Sequence, residues 1–429
     1  MNNESHYRIA GKGFDLLPSQ IRRKWKNGRY FILKTCMYPD TFADRSLSEE
    51  EKKKTDPDYD DAYLEPMPPK TSWYRELSRK IQETPSAWLS ENIPEKRMYV
   101  HLYFLERTVE SLKKDDKEKA ARFAGVFSHF LGDTAQPIHI VNSRILDLLI
   151  KCPDEFLGFE LHAGIEGITG KPIIKKYEPE LLGTSVPGAA MGLYRKILLM
   201  AEECRYITPL MVRAVYSRRR KEAVRLAGKS VKLATLVFAD FLRTCWTIAY
   251  DEDIAASPFS LADYPHITST VDMLYRYRPM KNLSLIPYSG GRSYPLTLLD
   301  EKGKRIRARG IGVIPYLGPM KSALGTVRER DARVEFLLCP GAYSVFRARV
   351  GLNPLFKESG GKVLFRVFSD GRLAGKSAVF FPGKPAEQLD IRFPRTTRFL
   401  TLSMLTVEEP PPSLAKTHPH GVWANPVLE

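Results

Sequence analysis

The spacing of apolar residues changes near residue 255, and this change is the strongest constraint on the fold. Before it, apolar residues recur at every third or fourth position along 114–129, 191–216 and 223–250. This period is typical of α-helices, and a helix that is apolar on most of its surface belongs in a protein core. The sequence therefore predicts an all-α N-terminal domain over residues 1–255.

Short runs of β-branched and aromatic residues follow, separated by glycine and proline. Examples are 342–350, 363–368 and 399–405. Runs of this length with turn signals between them are typical of a β-sandwich or barrel, and Asp370-Gly371 favours a two-residue hairpin turn. The sequence therefore predicts an all-β sandwich domain, jelly-roll-like, over 283–429, with a linker over 256–282.

Charge and cysteine content exclude some classes of protein. The 66 Lys and Arg residues exceed the 50 Asp and Glu residues, giving a formal net charge of +16. This charge favours acidic partners such as phosphate esters, nucleic acid or an anionic membrane surface, with solubility alone as an equally weighted alternative. The absence of an apolar run of about 18 residues predicts no transmembrane segment. Five cysteines without a Cys-x-x-Cys pair argue against a disulfide framework or a zinc ribbon.

Two charged segments interrupt the helical half. Residues 47–70 carry many charges and several prolines, which predicts an exposed loop. The basic run 218–221 falls where one predicted helix gives way to the next. A solvated helix end is favoured there over a phosphate-binding patch.

Histidines are concentrated in the helical half, which holds five of the eight. His129 and Asp133 are four residues apart on a predicted helix, so both side chains point to one face. Pro137 ends or bends that helix, and His139 follows in the turn. His162 and Glu166 repeat the four-residue spacing.

These residue types suit metal chemistry. Imidazole and carboxylate are the ligands that zinc takes in open, catalytic sites. A carboxylate can bridge two metals, and paired metals suit phosphoryl displacement. A single pair of histidine and carboxylate side chains four residues apart is usual in a packed helix. Two pairs, together with His139 and with Asp133 on an otherwise apolar helix, favour a metal site, because an unpaired buried carboxylate would be costly.

The pattern His-x3-Asp-x5-His, followed by His-x3-Glu, resembles the zinc-dependent phospholipase C and single-strand-specific zinc nuclease superfamily. The resemblance extends from about residue 6 to residue 250. Members of this superfamily are all-helical and hold a zinc cluster that activates water to hydrolyse phosphodiesters. The resemblance implies that five residues bind zinc, with the first aspartate bridging two ions: His129, Asp133, His139, His162 and Glu166.

Further ligands follow from the same resemblance. His101 is the remaining histidine for the next ligand, and His6 matches the N-terminal histidine of the family. Asp40, in Tyr-Pro-Asp, matches an early aspartate that binds metal and is the candidate catalytic base, with Asp44 as the alternative for that role. Characterised members bind the third zinc through a mature N-terminal tryptophan, whereas here the amine of Met1 lies five residues before His6. The resemblance thus leaves open whether the Zn2+ cofactor is two or three ions.

The C-terminal half resembles the NPCBM family of carbohydrate-binding modules. The segments that carry this resemblance include 288–296, 363–371 and 421–426. Asp370 and Gly371 fit the family's hairpin, and Trp423 fits its closing segment. The resemblance implies a carbohydrate partner, and the alternative is a sandwich that only packs against the helical domain.

We therefore predict a zinc-dependent phosphodiester hydrolase with phospholipase C-like chemistry. A single-strand-specific zinc nuclease and a non-catalytic glycan-binding protein on a helical scaffold are the alternatives. The expected partners are a phospholipid head group or single-stranded nucleic acid as substrate, a carbohydrate, and a membrane surface in peripheral contact. Family members are usually exported, yet residues 1–17 lack the apolar core of a signal peptide, so localisation stays open.

Overall fold

The structure, a computed structural model, divides into two compact units, residues 1–255 and residues 256–429. None of the helices it describes is long and apolar enough to span a membrane. The described residues are 2–42, 47–64, 98–141, 150–156, 158–251, 258–270, 273–276, 295–314, 331–356, 361–408 and 419–429.

The first unit is helical, as the apolar period predicts. Its helices pack around α7, which contacts α1, α3, α6, α9 and α10. The described α-helices are α1 (Asn3–Asp15), α2 (Ser19–Lys24), α3 (Gly28–Thr35), α4 (Tyr38–Phe42), α5 (Glu49–Thr55), α6 (Met98–Lys113), α7 (Lys117–Ala135), α8 (Leu161–Glu166), α9 (Val186–Tyr216) and α10 (Arg220–Tyr250).

Helix α7 is stabilised by its N-terminal cap and packs closely against α3. Asp116 accepts a hydrogen bond from the backbone N–H of Lys119 and so caps the first turn. A Cβ at Gly125 would lie 2.1 Å from Thr35 Oγ1 on α3, so only glycine lets the two helices approach this closely. The helix ends at Ala135, two residues before Pro137, as expected for a residue that cannot continue a helix.

Part of the predicted loop over 47–70 is helical, which corrects that prediction. Helix α5 begins after Ser48, whose side chain accepts from the backbone N–H of Glu51, while the Glu51 carboxylate accepts from the backbone N–H of Ser48. This capping box supplies partners for two N–H groups that the helix itself leaves unpaired. The basic run 218–221 is exposed and extends from the turn after α9 into the first residues of α10, where the sequence predicts a helix end.

The second unit consists of antiparallel β-sheets. One sheet has the order β11-β8-β13-β6-β3, with β1 also paired to β13, and a second has the order β10-β9-β12-β7-β2. A separate pair joins β4 to β5. The described strands are β1 (Phe259–Ser260), β2 (Thr268–Thr270), β3 (Met273–Arg276), β4 (Thr297–Leu299), β5 (Arg305–Arg307), β6 (Gly310–Ile314), β7 (Asp331–Leu337), β8 (Val345–Leu352), β9 (Lys362–Ser369), β10 (Arg372–Phe380), β11 (Glu387–Arg392), β12 (Phe399–Glu408) and β13 (Gly421–Leu428).

The core of this unit lies between the two larger sheets. Trp423 on β13 is fully buried, and its ring lies 5.2 Å from that of Phe365, which belongs to the other sheet. Asp370 and Gly371 join β9 to β10 with φ angles of 47° and 80°, the left-handed values of a type I′ turn, which confirms the predicted hairpin. The β-sheet domain is therefore confirmed, whereas its jelly-roll-like topology stays a prediction.

The described part of the expected linker, 256–282, contributes strands to both sheets. Strand β1 pairs with β13, β2 with β7 and β3 with β6. These strands are two to four residues long. Such lengths are too short to show a period of two, so the sequence pattern does not distinguish them from a linker.

A candidate metal centre in the helical unit

His129 and Asp133 lie one turn apart on α7 and face the same way, as predicted. His129 Nε2 lies 3.3 Å from Asp133 Oδ2 and 3.2 Å from Asp40 Oδ1 on α4. The other ring nitrogen, Nδ1, donates to the carbonyl of Cys36 at 3.0 Å, because a carbonyl can only accept. This backbone contact directs Nε2 toward the two carboxylates, as expected of a metal-binding histidine.

His6 joins this pair from α1. Its Nε2 lies 3.6 Å from Asp133 Oδ1, and its ring stacks on that of His129 with centroids 4.1 Å apart. Its ring is fully buried, and neither ring nitrogen has a hydrogen-bond partner within the described residues. Buried polar atoms are normally satisfied, so this imidazole fits a ligand. Ligand atoms of His6, His129 and Asp133 all lie within 4.8 Å of one another, and we name these three residues the first group.

His139, His162 and Glu166 form a second group, whose ligand atoms also lie within 4.8 Å of one another. His139 Nε2 is 2.6 Å from Glu166 Oε1, and His162 Nε2 is 3.6 Å from the same oxygen. Thr208 donates to the carbonyl of Pro137 at 2.8 Å and so fixes the turn that carries His139.

Asp133 connects the two groups. Its Oδ1 lies 3.6 Å from His6 Nε2 and 3.6 Å from His139 Nδ1, while its Oδ2 faces His129. One carboxylate therefore presents an oxygen to histidines of both groups. This is the arrangement that a bridging carboxylate requires.

The electrostatics of the first group favour a cation. Burial disfavours charged His129, but its hydrogen bonds with Asp133 and Asp40 outweigh burial and raise its pKa to about 9. Burial, together with the neighbouring His129, lowers the pKa of His6 to about 3, so His6 is neutral. The pKa of Asp133 is lowered because its interactions with His129 outweigh the effect of burial. Two carboxylates thus stabilise positive charge beside one neutral imidazole, which suits a proton or a metal ion.

The remaining predicted ligands lie elsewhere or outside the described residues. His101, on α6, is buried and belongs to neither group, and its ring lies 6.1 Å from Phe127 and 6.4 Å from Tyr194. The role of His101 as a ligand stays a prediction. Met1 and Asp44 lie outside the described residues.

Two contributors were not identified as such from the sequence. The carbonyl of Cys36 orients His129, and backbone acceptors carry no residue-type signal. Gly132 leaves space for His6, because a Cβ there would lie 2.6 Å from His6 Nδ1. A glycine inside a predicted helix is the signal that could have drawn attention to this close approach.

Residues 321–429 match the family model of the NPCBM/NEW2 domain. This NPCBM/NEW2 domain contains strands β7 to β13, and the match confirms the expected C-terminal resemblance for these residues. Trp423 of the domain is a core residue, since its ring is fully buried. No curated protein matches the chain.

Several solved structures are similar at low identity. The CBM51-2 and INT domains from Clostridium perfringens ZmpB are 17% identical over 40% of this chain and 31% of that one, with a TM-score of 0.30. CBM51 from Clostridium perfringens GH95, in complex with methyl-galactose, is 12% identical over 40% of this chain and all of its own, with a TM-score of 0.30. Alpha toxin from Clostridium absonum is 10% identical over 99% of this chain and 94% of its own, with a TM-score of 0.33. Scores of this size establish neither a common fold nor a common activity.

Proposed function

We propose that the helical unit is a zinc-dependent phosphodiester hydrolase with phospholipase C-like chemistry. The observation that carries the proposal is the position of Asp133, whose two oxygens face His6, His129 and His139. No ordinary packing requirement explains a half-buried carboxylate among three imidazoles, two of them buried, because each of these groups is costly to bury without a partner.

The residues present fit zinc. The first group, with Asp40 beside it, and the second group supply imidazole and carboxylate ligands, the types that zinc takes in open sites. The unpaired ring nitrogens of His6 within the described residues support this assignment. Zinc held there would supply Lewis-acid polarisation of phosphoryl oxygens and a hydrolytic nucleophile near neutral pH.

Asp40 is the proposed catalytic base. Its side chain is 55% exposed, so water reaches the carboxylate. Its hydrogen bond with His129 is the main cause of its lowered pKa, which keeps it ionised at neutral pH. An ionised, accessible carboxylate can hold a substrate water and accept its proton. The number of zinc ions and the roles of His101 and Met1 stay predictions.

The metal content and activity of the purified full chain test this proposal. Elemental analysis should find two or three zinc ions per chain, and bis-p-nitrophenyl phosphate should be hydrolysed. Phosphatidylcholine should be a better substrate than single-stranded DNA, and the reverse order would favour the nuclease alternative. Zinc near zero after purification without a chelator, with no turnover on adding zinc, would contradict the proposal.

For the C-terminal unit we propose carbohydrate binding, which the NPCBM/NEW2 match favours. A glycan array with the full chain tests this role separately from hydrolysis. Glycan binding without any phosphodiesterase turnover would favour the third alternative, a glycan-binding protein on a helical scaffold. Peripheral membrane contact also stays a proposal. The same holds for the division of the chain into a domain over 1–255, a linker over 256–282 and a domain over 283–429.

A further inference from the structure

A cavity of about 600 Å³ lies within the helical unit, beside α8. Ala163 and Gly164 line it from a face of α8 other than the one that carries His162 and Glu166. Residues 167–169, which follow α8, also line it, and the remaining wall comes from the end of α9 and the start of α10, including the apolar Ala214, Val215, Ala223 and Val224. The volume falls within the range of sites for small organic ligands, which is roughly 300–1,000 Å³.

Two arginines line this apolar space, and the guanidinium of one of them, Arg218, also lies over the ring of Phe156, with Cζ 5.8 Å from the ring centroid. Arg218 and Arg220 both line the cavity and are exposed, and neither forms an ion pair within the described residues. The intervening Arg219 differs, since it pairs with Glu222 at 2.6 Å. The cavity therefore combines apolar walls with two cationic groups that no described carboxylate neutralises.

The backbone at Arg218 supports a role for its side chain. Its φ is 53°, in the left-handed region, where glycine is the favoured residue. The N–H of Arg218 donates to the carbonyl of Val215, and the N–H of Arg219 donates to that of Ala214. These two bonds form a Schellman motif that ends α9, and glycine is the usual residue at the position of Arg218. An arginine occupies this position despite its backbone cost.

We infer that this cavity binds a single-chain amphiphile with an anionic head group, either a carboxylate or a phosphate monoester. The acyl chain would contact the alanine and valine walls, and the head group would accept hydrogen bonds from Arg218 and Arg220. The ligand class follows from charge complementarity and from the cavity's size. The inference does not depend on the metal centre, because none of the lining residues belongs to either group of candidate ligands.

Calorimetric titration of the full chain with dodecyl phosphate and with dodecanoate, each below its micelle concentration, tests the inference. At least one of them should bind with a stoichiometry near one. Dodecyltrimethylammonium, with the same chain and opposite charge, and inorganic phosphate, without a chain, should bind at least about tenfold more weakly. Tighter binding of one anion identifies the preferred head group.

Three variants locate the bound amphiphile. Arg218→Gly should weaken binding about tenfold, which corresponds to the loss of one charge-assisted hydrogen bond, and should raise the melting temperature because glycine suits the left-handed backbone. Val224→Trp should weaken binding by filling the cavity without changing charge. Arg225→Gln is the matched control, because Arg225 is exposed on α10 but does not line the cavity, and its Kd should equal that of the wild type.

Either of two results would overturn the inference. One is equal binding of the anionic and cationic amphiphiles. The other is wild-type affinity in both Arg218→Gly and Val224→Trp, including the case in which only a zinc chelator abolishes binding. Wild-type affinity in both variants would show that the amphiphile binds outside this cavity, and loss of that binding on adding a zinc chelator would place it at the metal centre.

Discussion

Gly132→Ala is the most direct test of the first group of ligands. The added methyl carbon would lie 2.6 Å from His6 Nδ1 and 2.7 Å from His6 Cε1, well inside the roughly 3.5 Å at which such atoms pack. Because α7 is a central helix and the new atom belongs to its backbone frame, the imidazole must move by about 1 Å. His6 is fully buried, so the ring moves within the core and changes the position of its Nε2 relative to Asp133.

The substitution is expected to weaken metal binding in addition to any effect on stability. Overpacking costs about 1–3 kcal/mol, and the better helix propensity of alanine offsets up to about 1 kcal/mol, which leaves a loss of about 0–3 kcal/mol in the free energy of unfolding. A displacement of about 1 Å at a ligand reduces zinc affinity or turnover by about tenfold to a hundredfold. Competition with a chromophoric chelator measures the affinity, and urea unfolding measures the stability.

Gly125→Ala is the matched control on the same helix. Its Cβ would lie 2.1 Å from Thr35 Oγ1 and 2.5 Å from the carbonyl of Ile32, so it should destabilise the packing of α7 on α3. It touches no side chain of either group, so its zinc affinity in the folded state should fall less than that of Gly132→Ala. Wild-type zinc affinity in Gly132→Ala, at any stability, would refute the assignment of His6 as a ligand.

Four further predictions follow from other contacts. His139→Ala should remove about one zinc per chain by elemental analysis, since the second group loses a ligand, and full zinc content with full activity would show the assignment wrong. Arg122→Met should lower the free energy of unfolding by about 3–5 kcal/mol in urea titrations, because this buried guanidinium pairs with Asp56, Asp58 and Glu118. The pKa of Asp56 is lowered because its contacts, first with Lys34, outweigh burial. The contribution of Asp56 to stability should therefore be present above about pH 4 and lost as the pH falls further. Arg122→Met should lack this acid dependence only if Arg122 is its cause. Iodoacetamide should label the native chain at Cys152 alone, since the other four cysteines are buried, and mass spectrometry of the digest checks this.

Local spacing predicted most of the candidate site. His129 with Asp133, and His162 with Glu166, each lie one helical turn apart, so their common direction follows from the sequence alone. The approach of His6 to Asp133 does not, because it depends on how α1 packs against α7. The spacing also does not distinguish His101 from the histidines of the two groups, whereas the structure places its ring near the aromatic rings of the helical core.

The missed secondary structure has two different causes. Helix α5 follows a Ser-x-x-Glu capping box, at Ser48 and Glu51, which the sequence displays but which the surrounding charges and prolines obscure. Strands β1, β2 and β3 show no such signal. Their formation depends on hydrogen bonding to β13, β7 and β6, which are distant in sequence, and a local pattern cannot supply that information.

Strands β1, β2 and β6 precede the NPCBM/NEW2 match, and they change what an independently folding C-terminal module must contain. A fragment that begins at residue 321, where the NPCBM/NEW2 match begins, lacks β1 and β6, which pair with β13, and β2, which pairs with β7. The backbone groups of β13 and β7 that these strands satisfy would then be open to other chains, and exposed edges of this kind promote aggregation. A fragment that begins near residue 256 retains these partners and should stay monomeric at concentrations at which the shorter one precipitates.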